Sequence, residues 1–187
     1  MSKNEELVKM SKMLMIAGQQ QNVGKTTLAC RIISHFSREN KIIALKVSPH
    51  FHADTGSSLV IEEGENWQIL EEKSMETKKD TSRMLAAGAE QAFLIQAEMD
   101  SLLVGFNKFL SLVPANSLIV CESAGLRDYV IPGVFLMIRQ LYCKVCSIDD
   151  NQMLNLADRI VTFAVNGFDI TMGELNAGNE GWQLNNN

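Results

Sequence analysis

Apolar and polar positions along this chain follow two periods in turn, and the switching between them predicts its elements. Met13 to Ala17 is an unbroken apolar run, so Lys12–Ala17 reads as a first strand. Leu28, Ile32, Ile33 and Phe36 then recur at helical spacing, which predicts a helix over Lys25–Arg38. Lys41–Val47 is a second buried strand, ended by Pro49 and a polar loop. Leu59–Ile61 and Trp67–Leu70 flank Glu62-Glu63-Gly64-Glu65-Asn66, which predicts a β-hairpin insertion at 58–72. The polar stretch Lys73–Lys79 predicts a mobile connector. Asp80 or Thr81 is placed to cap a helix running to about Ala87, with Gly88 as its stop. Ala92–Ile95 predicts a short strand, Met99–Val113 a helix closed by Pro114, and Ser117–Cys121 another buried strand. Further on, Gly133–Arg139 and Arg159–Val165 predict strands, Asn151–Ala157 a helix, and Asp169 the cap of a last short helix. The Asn- and Gly-rich tail from about residue 176 predicts fraying, with Trp182 able to dock.

Strands alternating with helices predict an α/β fold: a doubly wound, mostly parallel sheet in a three-layer α/β/α arrangement, as one domain over residues 1–187. Ligands of such sheets sit at the carboxyl ends of the strands. Gly18, Pro49 and Glu122 each follow a predicted strand, so three polar segments should meet at one edge.

The first of these is Gly18-Gln19-Gln20-Gln21-Asn22-Val23-Gly24-Lys25-Thr26-Thr27. A strand, a glycine-bounded loop, Gly-Lys-Thr and a helix make the layout of a Walker A P-loop, which predicts the P-loop NTPase fold and a nucleoside triphosphate with Mg2+. Gly24 removes the side chain where backbone must approach phosphate. The helix start offers unpaired N–H groups and a positive dipole end. Lys25 supplies a mobile cation, Thr26 a hydroxyl for Mg2+, and Thr27 a further phosphate contact. Gly18, Gln21, Asn22 and Val23 complete the expected nucleotide-binding set. The usual spacing is G-x4-G-K-[ST]; here the first glycine stands one residue earlier.

Glu122 follows Leu118-Ile119-Val120-Cys121, where an acid next to the loop strand can hold Mg2+, or can simply cap the next turn. Lys25 and Glu122 are therefore the expected catalytic pair, with Glu122 or Gln21 to orient water. Lys46 ends the second strand and reads as a phosphate or second-substrate ligand, or as a surface lysine. His50, His52 and Asp54 share one face of an extended segment, which suits a metal, a general base or a polar pocket rim. Asp80 and Arg83 open a helix, where Arg83 can approach a phosphate or carboxylate. Asn166-Gly167-Phe168-Asp169 is similar to the N-K-x-D element that reads guanine, and equally to a turn rich in turn formers.

Composition narrows the partners. The 187 residues carry a net charge of −5, which argues against nucleic acid as the main partner. No apolar run reaches the length of a membrane span, and the polar start is unlike a secretory signal, so a cytoplasmic protein is expected. Cys30, Cys121, Cys143 and Cys146 read as free thiols; Cys143-Lys-Val-Cys146 is a lone C-x-x-C with no second pair to complete a zinc site.

Together these segments resemble the MobB family of P-loop proteins linked to molybdopterin guanine dinucleotide biosynthesis. The resemblance rests on the Gly18–Thr27 loop, on Ile43-Ala-Leu-Lys46 with His50 and His52, on Lys79-Asp80-Thr-Ser-Arg83 with Ala87-Gly88-Ala89-Glu90, and on Leu118-Ile-Val-Cys-Glu122. It implies Mg-GTP binding, weak GTPase activity, a homodimer, and an adaptor role beside a nucleotidyltransferase. By this resemblance Lys25, Thr26, Thr27 and Glu122 carry nucleotide and Mg2+, and His50, His52 and Asp80 lie around a second site. A second resemblance is to dethiobiotin synthetase, an ATP-dependent ligase. It rests on the G-x5-G-K-T loop, on Lys46-Val-Ser-Pro49, and on Glu122-Ser-Ala-Gly125 with Pro132.

Overall fold

The apolar run around Met13 lies at the centre of the molecule because both of its faces are covered. In this computed structural model, which describes residues 7–20, 22–51, 56–140, 148–165 and 167–185, β1 spans Val8–Gly18. Leu14 and Ile16 face one layer of helices, while Met13, Met15 and Ala17 face the other. All five are fully buried, which explains a run without alternation.

On the first face lie α1 (Lys25–Phe36) and α2 (Asp80–Ala86), through Leu28, Ile32, Ile33, Met84 and Leu85. On the second lie α3 (Leu102–Leu112), through Phe106 and Phe109, and α4 (Ile148–Leu156), through Met153 and Leu154. The remaining strands are β2 (Ile42–Ser48), β3 (Ser58–Gly64), β4 (Trp67–Glu72), β5 (Gln91–Ala97), β6 (Leu118–Glu122), β7 (Val130–Gln140), β8 (Arg159–Ala164) and β9 (Gly167–Phe168). Among the described residues, nine strands form one sheet in the order β3-β4-β5-β2-β6-β1-β7-β8-β9. The six from β5 to β8 run parallel; β3, β4 and β9 enter through antiparallel pairings. The fold is thus α/β with a mostly parallel, mixed sheet between two helical layers.

The expected 58–72 hairpin is present as β3 and β4, and β4 pairs with β5 so that the hairpin extends the main sheet. Three expectations are corrected. The connector after the hairpin is tethered, because the buried Glu72 carboxylate accepts from the N–H groups of Lys73 and Ser74, and Ser82 Oγ accepts from Thr77 N. Asp169 caps no helix. Its carboxylate accepts from Thr162 N at 2.6 Å, and the final single turn, Met172–Glu174, is closed by a reciprocal Thr171–Glu174 capping box. The tail does not fray after 176. β10 (Leu175–Gly178) and β11 (Gly181–Leu184) form a hairpin whose Trp182 is 2% exposed and packs edge-on against Phe36.

Candidate functional site

Register places the first pair of site residues. β2 and β6 are parallel neighbours in which Lys46 stands opposite Glu122, and on the other side of β6 Glu122 stands opposite Ile16 of β1. The Lys46 ammonium therefore meets the Glu122 carboxylate across the strand ends, at 3.3 Å. α1 begins directly after the loop that leaves β1, and its first turn delivers Thr26, whose hydroxyl donates to Glu122 Oε2 at 2.6 Å. Glu122 is 5% exposed, so these two bonds are what a buried carboxylate requires.

α2 completes the group. Asp80 is not a helix cap: the N-cap position is Lys79, and Asp80 instead forms a short ion pair with Lys46. Thr81 does not cap either; its hydroxyl donates to the buried Glu72 carboxylate at 3.1 Å, which fixes the start of α2 beside β4. Arg83 then reaches across to α1, 3.2 Å from Thr27 Oγ1 and 3.5 Å from Asp80 Oδ1. Capping and ion pairing both favour an acid at a helix start, and the chain uses the second.

The loop explains its own glycines. Gly24 has φ +94°, and a Cβ there would come within 3.1 Å of the Phe168 ring. At Gly18 a Cβ would lie 2.6 Å from Val23, whose side chain is buried inside the loop. Helix α1 leaves the N–H groups of its first turn without intrahelical partners at this end. Lys25 Nζ donates to Gln20 O at 2.8 Å.

These residues line a single cavity of about 620 Å³ at the carboxyl edge of the sheet. Asn22, Gly24, Lys25, Thr26, Thr27, Lys46, His50, Asp80, Arg83 and Glu122 all contribute to it. Three cationic side chains, Lys25, Lys46 and Arg83, face two carboxylates, Asp80 and Glu122, an excess of one positive charge in a chain of net charge −5. Burial lowers the Lys25 pKa, and the neighbouring Lys46 charge lowers it further against the opposing pull of Glu122 and Asp80. Burial also works against the charge on Lys46, yet Glu122 and Asp80 outweigh it and hold that pKa above the ordinary lysine value. Asp80 is held below the ordinary carboxylate value, since Lys46 overrides the cost of its burial.

The segment that Pro49 opens does reach the cavity, and sequence reasoning missed only Val47 and Ser48 before it as wall residues. It also missed Gln96, a buried strand residue that donates to the His50 carbonyl at 3.2 Å and so ties down the wall. Gln21, His52, Asp54, Asn166, Cys143 and Cys146 lie outside the described residues. Cys30 and Cys121 are free thiols, and full burial pushes the Cys121 thiol up. Among the described residues no group of three or more His, Cys, Asp or Glu could hold a metal, and no helix is long and apolar enough to cross a membrane. A second cleft, of about 760 Å³, lies at the opposite edge around Lys12, Lys41, Glu90 and Asn116 and holds none of the candidate residues. No protein-family model, curated protein or solved structure matches this chain.

Proposed function

We propose that this chain is a P-loop protein that binds a magnesium nucleoside triphosphate and hydrolyses it slowly, similar to the MobB adaptors of molybdopterin dinucleotide biosynthesis. The observation that carries the reading is the meeting of Lys25, Thr26, Lys46, Asp80, Arg83 and Glu122 in one cavity at the carboxyl edge of the sheet. Strand register, a helix start and a second helix each bring a part of it.

Magnesium fits the donor set. The Thr26 hydroxyl and the Glu122 carboxylate are hard oxygen ligands already 2.6 Å apart. One or two such ligands would suffice where phosphate oxygens and water supply the rest. When bound, the ion neutralises charge on the phosphate oxygens. The chain's own groups do the remainder. Lys25 exchanges the Gln20 carbonyl for terminal phosphate oxygens, and the first-turn amides of α1 hold the chain of phosphates in place. Both carboxylates in the cavity are engaged by Lys46, so neither stands free as a base for an attacking water. That pairing supports slow turnover. Lys25→Ala should abolish binding of a Mg-triphosphate in calorimetry; unchanged affinity refutes the assignment.

A ligase reading, similar to dethiobiotin synthetase, is favoured by one observation: Lys46, Ser48, Pro49 and His50 form a wall of the same cavity. It predicts triphosphate turnover strongly stimulated by a carboxylate or amine metabolite. The adaptor reading predicts slow basal turnover and capture of a nucleotidyltransferase.

A further inference from the structure

Gly24, which lines the polar cavity, is flanked on its other side by β8 and β9. Two phenyl rings, Phe163 on β8 and Phe168 on β9, pack together there with centroids 4.7 Å apart and planes tilted by 39°. They reach the loop itself. The Phe168 ring abuts Gly24, 3.1 Å from where a Cβ would stand, and the Phe163 ring comes within 3.9 Å of that position. Phe168 is half-buried, whereas Phe163 is 42% exposed.

A cationic cavity with a partly exposed phenyl ring at the back of its loop suits a ligand with two unlike ends: an anionic chain and a planar, weakly polar ring. We infer that Phe163, backed by Phe168, is the nucleobase shelf of this site and takes the base by stacking. This inference rests on the nucleotide reading above and adds a residue and a specificity to it.

The shelf also predicts which bases are accepted. The guanine-reading expectation needs the Asp169 carboxylate to meet ring N–H groups. In the structure that carboxylate accepts from Thr162 N at 2.6 Å, and Asp169 N in turn donates to Thr162 O at 3.1 Å. Arg159 donates to the Asp169 carbonyl at 2.9 Å. Asp169 thus closes the β8–β9 turn and presents the two phenylalanines. Stacking tolerates any base, because every base has a π face. The site therefore binds ATP and GTP alike.

Calorimetry on the full chain with Mg2+ and three probes, ATP, GTP and inorganic tripolyphosphate, tests this. Wild type should bind both nucleotides with similar affinity and more tightly than tripolyphosphate. Phe163→Ala should weaken ATP and GTP equally, by about tenfold or more, and leave tripolyphosphate unchanged. Phe163→Tyr, which keeps the π face, should bind as wild type does. Phe163→Leu, which keeps apolar bulk without that face, should weaken both nucleotides and serves if the alanine variant does not fold. Unchanged nucleotide affinity in the variants, an equal loss for tripolyphosphate, or a preference of more than about tenfold for one purine would overturn the shelf while the phosphate site stands. Binding of none of the three probes to wild type overturns the nucleotide reading, and the shelf with it.

Discussion

At the scale of single residues, the charge balance of the cavity turns on Lys46. Its ammonium holds Asp80 and Glu122 together, and the side chain is only 25% exposed. Removing it leaves two carboxylates facing each other with little water, so Lys46→Met should cost about 2 kcal/mol at neutral pH, less than a fully buried pair would lose. The cost should depend on pH. The lowered Asp80 pKa means that its stabilising contribution is complete above the ordinary carboxylate range and fades as pH falls through the lowered value. In the variant, burial pushes that pKa up with only the more distant Arg83 to oppose it, and ionisation becomes less favourable. Urea titrations should therefore give a larger loss at pH 7 than at acid pH, where the Asp80 carboxyl of the variant takes up a proton and no longer needs a cation. Equal losses at the two pH values would mean that Lys46 contributes packing alone. Lys25, Thr26 and Glu122 were legible from local patterns: a strand, a loop and a helix in short succession, and an acid at a strand end. The pairing of Lys46 was not, since its partners lie 34 and 76 positions along the chain. Nothing local distinguishes an acid that caps a helix from one that answers a lysine on another strand.

Elements show where composition misleads. Asn and Gly dominate the last dozen residues, and such tails usually fray. Two apolar side chains reverse that here, with Leu175 and Trp182 both buried against the α1 layer. Asn179 and Glu180 are the only residues between Gly178 and Gly181, which pair across a tight turn. If the hairpin belongs to the core, Trp182→Ala should destabilise the protein by about 3–5 kcal/mol in a denaturant melt. A loss below about 1 kcal/mol would return the segment to a frayed tail. The same logic applies to the polar connector between β4 and α2. Its low hydropathy predicted mobility, yet one buried carboxylate, Glu72, gathers its N–H groups and the Thr81 hydroxyl. Hydrogen bonds to a single buried acid leave no periodic signal, whereas the amphipathic spacing of α1 does.

For the whole molecule, alternating strands and helices made the α/β class legible, while strand order was not. Hydrophobic period says that a strand is buried on both faces, not which strands flank it, and neither the docking of the β3–β4 hairpin on β5 nor the short β9 carries a distinct pattern. The order nonetheless decides function, because β6 between β1 and β2 is what sets Glu122 beside both Thr26 and Lys46. This arrangement separates local from global charge: an acidic chain concentrates three cations at one sheet edge. It also makes the cavity a junction of β2, β6, α1 and α2, so a ligand bound there should stabilise the entire domain. A triphosphate with Mg2+ at a hundred times its dissociation constant should add about 2.7 kcal/mol, a rise in melting temperature of roughly 5–11 °C for a domain of this size. Mg2+ alone should add little, because Lys46 already answers the carboxylates. Hydrogen exchange should then slow at the start of α1 and of α2 and stay unchanged around Lys12, Lys41 and Glu90 at the opposite edge. Protection at that second cleft instead, with the same rise in melting temperature, would place the ligand at the wrong end of the sheet and dissolve the link between these cations and phosphate.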